Sequence, residues 1–381
     1  MTDSPQNLSS TPKWQVPYID MRLAFQQHRH ALLARMEDVC ADARLILRDE
    51  VEELEKKSAD FLGVDHAIGV GNGSDAIYFA LQAAGIGPAD EVITVAHTFV
   101  ATLAAIHRCG ATPILVDIDQ NFTMDPNQLE KAITPQTRGI IPVHLNGRCC
   151  PMTPILKIAQ QHNLVVIEDA AQAFGACYEG RHAGSFGLAG AFSFHPMKVL
   201  ACCGDGGLVT TNDPHIARQI RLLRNHGLEN KTHLIQYGYN SRLDTLQAAI
   251  LLERFDHLPF FLERRRHIAR CYCAGLQNIT AIRLPPSPEE KNTPYWDIFN
   301  SYVIRYPERD RLANHLRRQG VETMAHWWPP LHQQAALPFK NIQLPQTERI
   351  AKEVLSLPIY PEMTDSQVDH VIAALQNFPW S

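Results

Sequence analysis

No run of apolar residues in this 381-residue chain approaches the roughly 18 needed to cross a bilayer as a helix. That absence removes a helical membrane protein from consideration, and no membrane partner is expected. The first residues, MTDSPQNLSSTPK, hold no apolar stretch of the signal-peptide kind. They read as a loose polar arm, which makes a cytoplasmic location the expectation. Basic blocks are missing as well. With 35 Lys and Arg against 40 Asp and Glu the formal net charge is −5, and no positive face announces nucleic acid. The nine cysteines form no C-x-x-C. Their scatter, with vicinal pairs at Cys149-Cys150 and Cys202-Cys203, fits neither a disulfide framework nor a zinc site, so buried reduced thiols are expected and no metal. Internal repeats and low-complexity tracts are absent too.

What is present is a long alternation of two patterns. HAIGVGNG, DEVITVA, TPILVDID, RGIIPVHL and LVVIEDA are short apolar runs rich in β-branched residues. Between them lie helix-patterned segments such as SDAIYFALQAAG and TFVATLAAIHRCG, each closed by glycine. Continuous rather than alternating hydrophobicity means that both faces of the strands are covered, as in a parallel sheet flanked by helices. The reading is an α/β core of about seven strands over residues 65–212. After the proline-rich stretch AIRLPPSPEEKNTPYW a smaller α/β pattern follows: strand NSYVIRY, helix RDRLANHLRRQG, and helices near 346–354 and 365–376. Residues 1–25 are therefore expected as an arm, 26–260 as a large domain and 261–381 as a small one.

Three local features carry chemistry. Gly71-Asn-Gly73-Ser74-Asp75-Ala76 follows a strand and opens a helix, so unpaired N–H groups and the helix dipole suit one phosphate. The same window meets the loose pattern G-x-G-x-x-A. However, a dinucleotide reader needs an acid at the end of the next strand, and here that end carries His97-Thr98. Asp169 ends a central strand, where open parallel sheets place ligands. Taken alone it serves equally well as a solvated loop acid. Lys198, in AFSFHPMKVLACCGDGG, follows a buried strand beside aromatic residues, where poor solvation of the charged form favours the free amine that Schiff-base chemistry needs. Alone it is an ordinary loop lysine. Together, a phosphate cup, an acid and a lysine are the parts that pyridoxal 5′-phosphate requires: the carboxylate keeps the ring nitrogen protonated and the lysine forms the covalent link.

With these pieces in order, GNGSDAIYFAL, DEVITVAHTFVAT, IPVHLNG, IEDAAQAFGA, GSFGLAGAFSFHPMK, GDGGLVTTND, RLLRNHG and YGYNSRLDTLQAAIL resemble the DegT/DnrJ/EryC1/StrS family of sugar aminotransferases over nearly the whole chain. The resemblance implies a fold-type I pyridoxal-phosphate transferase with a mostly parallel seven-stranded sheet and a smaller C-terminal α/β domain. It also implies a homodimer with active sites at the subunit interface, glutamate as donor and a nucleotide-linked keto sugar as acceptor. A keto-sugar acid or cyclitol acceptor, a sugar dehydratase built on the same fold, or a cofactor-binding regulator or scaffold that is no enzyme are the competing readings, and the lack of a DNA-binding module or basic face speaks against the last. Dehydratases replace the lysine with histidine, and Lys198 speaks against that one. Carried over by position, Lys198 corresponds to the cofactor-binding lysine and Asp169 to the partner of the ring nitrogen. Gln172 falls near the phenolic oxygen, Phe99 is the ring that stacks, and Gly73, Ser74, Asp75 and Ser193 form the phosphate cup. Asn240 matches a residue that reaches the cofactor of the neighbouring subunit, or else caps a helix. His326 and His332, in HWWPPLHQQ, fall in the substrate-facing segment. The chain departs from the family pattern at Arg48-Asp49, at Val199-Leu200 and at Trp327-Trp328, positions near the substrate entrance.

Overall fold

The computed structural model describes residues 14–339 and 341–380. Seven strands form one sheet: β1 (His66–Val70), β2 (Glu91–Val95), β3 (Thr112–Val116), β4 (Thr137–Ile140), β5 (Val165–Asp169), β6 (Ala189–Ser193) and β7 (Gly207–Thr211). Their spatial order is β1-β7-β6-β5-β4-β2-β3. Every neighbouring pair is parallel except the two that β7 makes, with β1 and with β6.

The apolar strands are buried on both faces because successive side chains enter the layers on opposite sides of the sheet. Ile68, Val92, Ile167 and Val209 pack with α3 (Gly73–Ala83), α4 (Val100–Arg108) and α6 (Pro214–Arg224). Ala67, Ile93, Val166 and Leu208 pack on the other side with α2 (Asp49–Leu62), α5 (Met152–Gln161) and α7 (Thr245–Asp256), the last of which also carries α1 (Met21–Asp42). By the same alternation, Glu168 and Asp169 at the end of β5 face opposite layers.

A second core gathers around α8 (Leu258–Leu276), α9 (Arg309–Arg318), α11 (Asp365–Gln376) and the antiparallel pair β8 (Tyr302–Arg305) and β9 (Val354–Leu357). Val16, from the N-terminal segment, is fully buried in it and bridges Val321. The first thirteen residues of the expected arm lie outside the described residues. The junction read at 260/261 falls inside α8, a continuous helix that gives Leu258, Phe261 and Leu262 to the first core and Ile268, Ala269 and Tyr272 to the second. The proline-rich stretch also does more than link. Tyr295-Trp296 pairs with Cys177-Tyr178, and Ile298 is buried in the first core.

β9 was not expected. It follows α10 (Pro345–Glu353) without an intervening turn, so sequence reading merges Val354 into the helix. The nine cysteines are free thiols, and four of them (Cys109, Cys149, Cys150 and Cys202) are buried. Cys40 and Cys203 depart from the expectation: both are exposed, Cys203 beside its buried neighbour. Among the described residues no helix is long and apolar enough to cross a membrane, and no cluster of acids, histidines or cysteines is arranged to hold a metal.

Candidate active site

The carboxyl ends of β5 and β6 and the N-terminus of α3 open into a cleft of about 400 Å³ between the two cores. α3 starts where β1 runs out. Asn72 caps it, its side chain accepting from the Asp75 N–H at 2.8 Å. The Gly73 and Ser74 N–H groups stand at the open positive end of the helix and line the cleft. Ser193, the last residue of β6, closes the cup from the other side. A Cβ on Gly73 would lie 2.8 Å from the Ser193 Cβ, and one on Gly207 would lie 2.4 Å from the Asn72 backbone. Glycine at both positions lets the β6–β7 hairpin press against the helix start.

Asp169 is 5% exposed. Burial pushes its carboxyl up, against hydrogen bonds from Thr102 and the Ala171 N–H and the charge of Lys198. Lys198 lines the same cleft. Burial brings its amine down to about 8, partly opposed by Asp169. Gln172 accepts the Asn146 N–H at 2.8 Å through Oε1, which leaves its NH₂ as the group available to the cleft it lines. Phe99 occupies the N-cap position of α4 with a ring 56% exposed on the cleft wall. That exposure rules out a simple core role.

His326 also lines the cleft. Its Nδ1 lies 2.8 Å from Ser356 Oγ, and burial together with Lys198 lowers its ring to about 4, so it is neutral. Its ring stands between Tyr18, at 5.6 Å, and Trp327, at 5.5 Å.

Three expected residues are placed elsewhere. The Asp75 carboxylate receives Arg108 at 2.6 Å, the Ser241 hydroxyl at 2.6 Å and the Asn72 amide at 3.2 Å. It braces the glycine turn from behind instead of lining the cleft. His332 is buried and turned to Glu348, with Nε2 3.1 Å from Oε1, and it too is outside the lining. Asn240 is exposed, bridges Asn225 and stays away from this chain's own cleft; the N-cap position of α7 is held by Asp244, whose side chain makes no capping bond. Conversely, Thr98, His144, Tyr18, Arg265, Asn300 and Ser301 line the cleft without having been singled out as ligands. Only the position of Thr98 at a strand end offered a signal.

The model of the DegT/DnrJ/EryC1/StrS aminotransferase family matches residues 26–376. The chain belongs to that family. It is 45% identical over 367 residues to a protein of Geobacillus stearothermophilus called pleiotropic regulatory protein, covering 95% of this chain and 98% of the relative. It is 40% identical over 374 residues to the dTDP-3-amino-3,4,6-trideoxy-alpha-D-glucose transaminase of Streptomyces venezuelae, covering 97% of each. Among solved structures, S. venezuelae DesV in complex with a ketimine intermediate superposes with a TM-score of 0.91 at 39% identity, over 96% of this chain and 98% of that one. The chain is thus an aminotransferase with the α/β fold of pyridoxal-phosphate enzymes.

Proposed function

We propose that this protein moves an amino group from glutamate to the ring ketone of a hexose carried on a nucleoside diphosphate, with pyridoxal 5′-phosphate in the cleft. The observation that carries the reading is that a buried acid and a lysine with a lowered pKa line one cavity under a helix N-terminus. The residues fit the cofactor part by part. Gly73 and Ser74 N–H groups and the Ser193 hydroxyl suit its phosphate, Phe99 offers an uncovered ring to its face, and Asp169 needs the cation that a protonated ring nitrogen supplies. When bound, the cofactor contributes a carbonyl that captures the amino group and a ring that withdraws electrons.

The chain's own part is positioning and proton transfer. Lys198 Nζ, in part uncharged near neutral pH, takes up the proton that leaves the donor's Cα. Asp169 holds the proton on the ring nitrogen. The Gln172 NH₂ donates toward the phenolic oxygen. The two-core cleft shields these groups from bulk water.

The 40% relative's 3-amino product supports a ketone at C3 of the acceptor. A homodimer completes the site. The segment before α7 exposes Leu234, Ile235 and Tyr237, the last at 95%, and carries Asn240 away from its own cleft, as a residue serving the partner's cleft would be.

The test is a panel of keto-sugar nucleotides and free keto-sugar acids with glutamate, read by mass spectrometry for the added amine. Amination confined to the free acids would overturn the nucleotide part, and no amination at all the whole reading. The same assay on mixed Lys198→Ala and Asn240→Asp subunits, each inactive alone, should recover activity, because one site per mixed dimer is intact. No recovery would overturn the shared site.

A further inference from the structure

Asp169 is held by a chain of hydroxyls as well as by its strand. Its Oδ2 accepts the Thr102 hydroxyl at 2.7 Å, and its Oδ1 accepts the Ala171 N–H at 3.2 Å. Thr102 Oγ1 in turn lies 2.9 Å from Thr98 Oγ1. All three side chains are buried: Thr98 is 1% exposed, Thr102 0% and Asp169 5%. A hydroxyl has one proton. Thr102 gives its proton to the carboxylate, so at Oγ1 it accepts, and the donor is Thr98. The direction is therefore fixed, from Thr98 through Thr102 to Asp169.

Local sequence explains how the chain is aligned. Thr98 stands just before the N-cap of α4 and Thr102 is in its first turn, four residues on, so the two side chains share a face. A helical threonine ordinarily bonds back to a carbonyl of the preceding turn; Thr102 faces β5 instead. Thr98 and Asp169 line the cleft and Thr102 does not, so the relay passes behind the cavity wall and returns to it at the carboxylate.

Other charged groups around Asp169 do not replace it. His144, after β4, is committed elsewhere: Nε2 pairs with Glu168 at 2.8 Å, and Nδ1 accepts the Cys150 N–H at 2.9 Å. Glu168 faces the opposite layer, where it also accepts the Gly184, Phe186 and Gly187 N–H groups. Lys198, after β6, acts on Asp169 by its charge, as His144 does to a smaller degree, and the Lys198 amine is the group the cofactor link would take up.

We propose that Thr98 and Thr102 are positioning residues: a one-way hydroxyl relay that keeps Asp169 ionised and oriented toward a ring nitrogen in the cleft. The inference rests on the cofactor reading given above. Two donors in series polarise one another, and burial otherwise favours the protonated acid, so loss of the relay weakens recognition of the ring nitrogen in particular.

The test compares the binding of pyridoxal 5′-phosphate and its 1-deaza analogue, in which CH replaces the ring nitrogen, to apoenzyme by absorbance titration across pH. Wild type should prefer the natural cofactor. Thr102→Val should cut that preference about ten-fold, the scale of one hydrogen bond to a charged group, and move the acid limb of cofactor affinity to higher pH. Thr102→Ser should restore both, and Thr98→Val should change both less, in the same direction. A folded Thr102→Val, or Thr98→Val should Thr102→Val not fold, that keeps the wild-type preference and acid limb overturns the relay. A wild type that binds neither compound overturns the function proposed above, and the relay with it.

Discussion

The wall of the cleft that the sheet supplies takes most of its groups from the ends of regular elements, with Lys198 in the bend five residues after β6, whereas the opposite wall is made from segments with little regular structure. Asp169 ends β5, Ser193 ends β6, and Gly73 and Ser74 open α3. Facing them are Tyr18, Asn300, Ser301, Met324, His326 and Trp327. On that side the backbone takes left-handed conformations at Phe299 and Trp327, with φ of 50° and 61°. Asn300 Oδ1 and Trp327 Nε1 are buried without partners among the described residues. Strand ends and helix starts are fixed by ladders of hydrogen bonds and hold a group to the tolerance that proton transfer demands. Loop segments can change side chains without disturbing either core, which suits recognition of a variable ligand. The difference supports the proposed reading, with cofactor chemistry on the first wall and the sugar on the second.

The harshest way to test that division is to remove the amine from the sheet wall. Lys198→Ala should lose the visible absorption of the covalently bound cofactor and turnover by at least about 10³-fold, the scale of a lost proton-transfer group. A variant that keeps both breaks the assignment of the wall. Its pH dependence has a definite sign. The free amine is the reactive form, and burial brings it down to about 8. Capture of cofactor by wild-type apoenzyme should therefore speed up as pH rises through about 8 and level off above it. Stopped-flow absorbance reads this directly, and a rate that falls with pH would be incompatible with a buried amine.

On the loop wall the expected change is smaller and of another kind. His326→Ala should raise KM for the sugar substrate by about ten-fold, comparable to one lost polar contact. The absorbance of the bound cofactor should stay as in wild type. Loss of that absorbance instead would move His326 to the cofactor side and blur the contrast between the walls.

The same contrast explains what could be read from residues alone. The strands were legible because burial on both faces writes continuous apolar runs, and the fold follows from their alternation with helices. Lys198 and Asp169 became legible only in combination with the glycine turn. Where a side chain points was not. Asp75 sits one residue after Ser74, yet Arg108 and Ser241, 33 and 166 positions away in sequence, bring its carboxylate behind the turn. The relay through Thr102 depends on α4 lying beside β5, which no local pattern states. Val16 was expected only as part of an N-terminal segment joining the small domain, and its full burial comes from a core that begins some 250 residues later.

Neither wall contains His332, although its motif places it only six residues beyond His326, and the smallest predicted effect follows from that. Its ring is 4% exposed, and Nε2 meets a carboxylate that also accepts the Leu344 N–H at 3.1 Å. The pair therefore ties the turn at Leu331–Gln333 to the start of α10. His332→Ala should cost about 1–3 kcal/mol of stability, mainly for the void left by a buried ring, since the Glu348 carboxylate is partly exposed and water can meet it. Denaturant unfolding would read this as a lower midpoint. KM and kcat of the protein that remains folded should stay near wild type, since nothing facing the cleft has moved. A kcat lowered ten-fold at unchanged stability would instead return this histidine to the substrate, and with it the part of the loop wall that the structure leaves out.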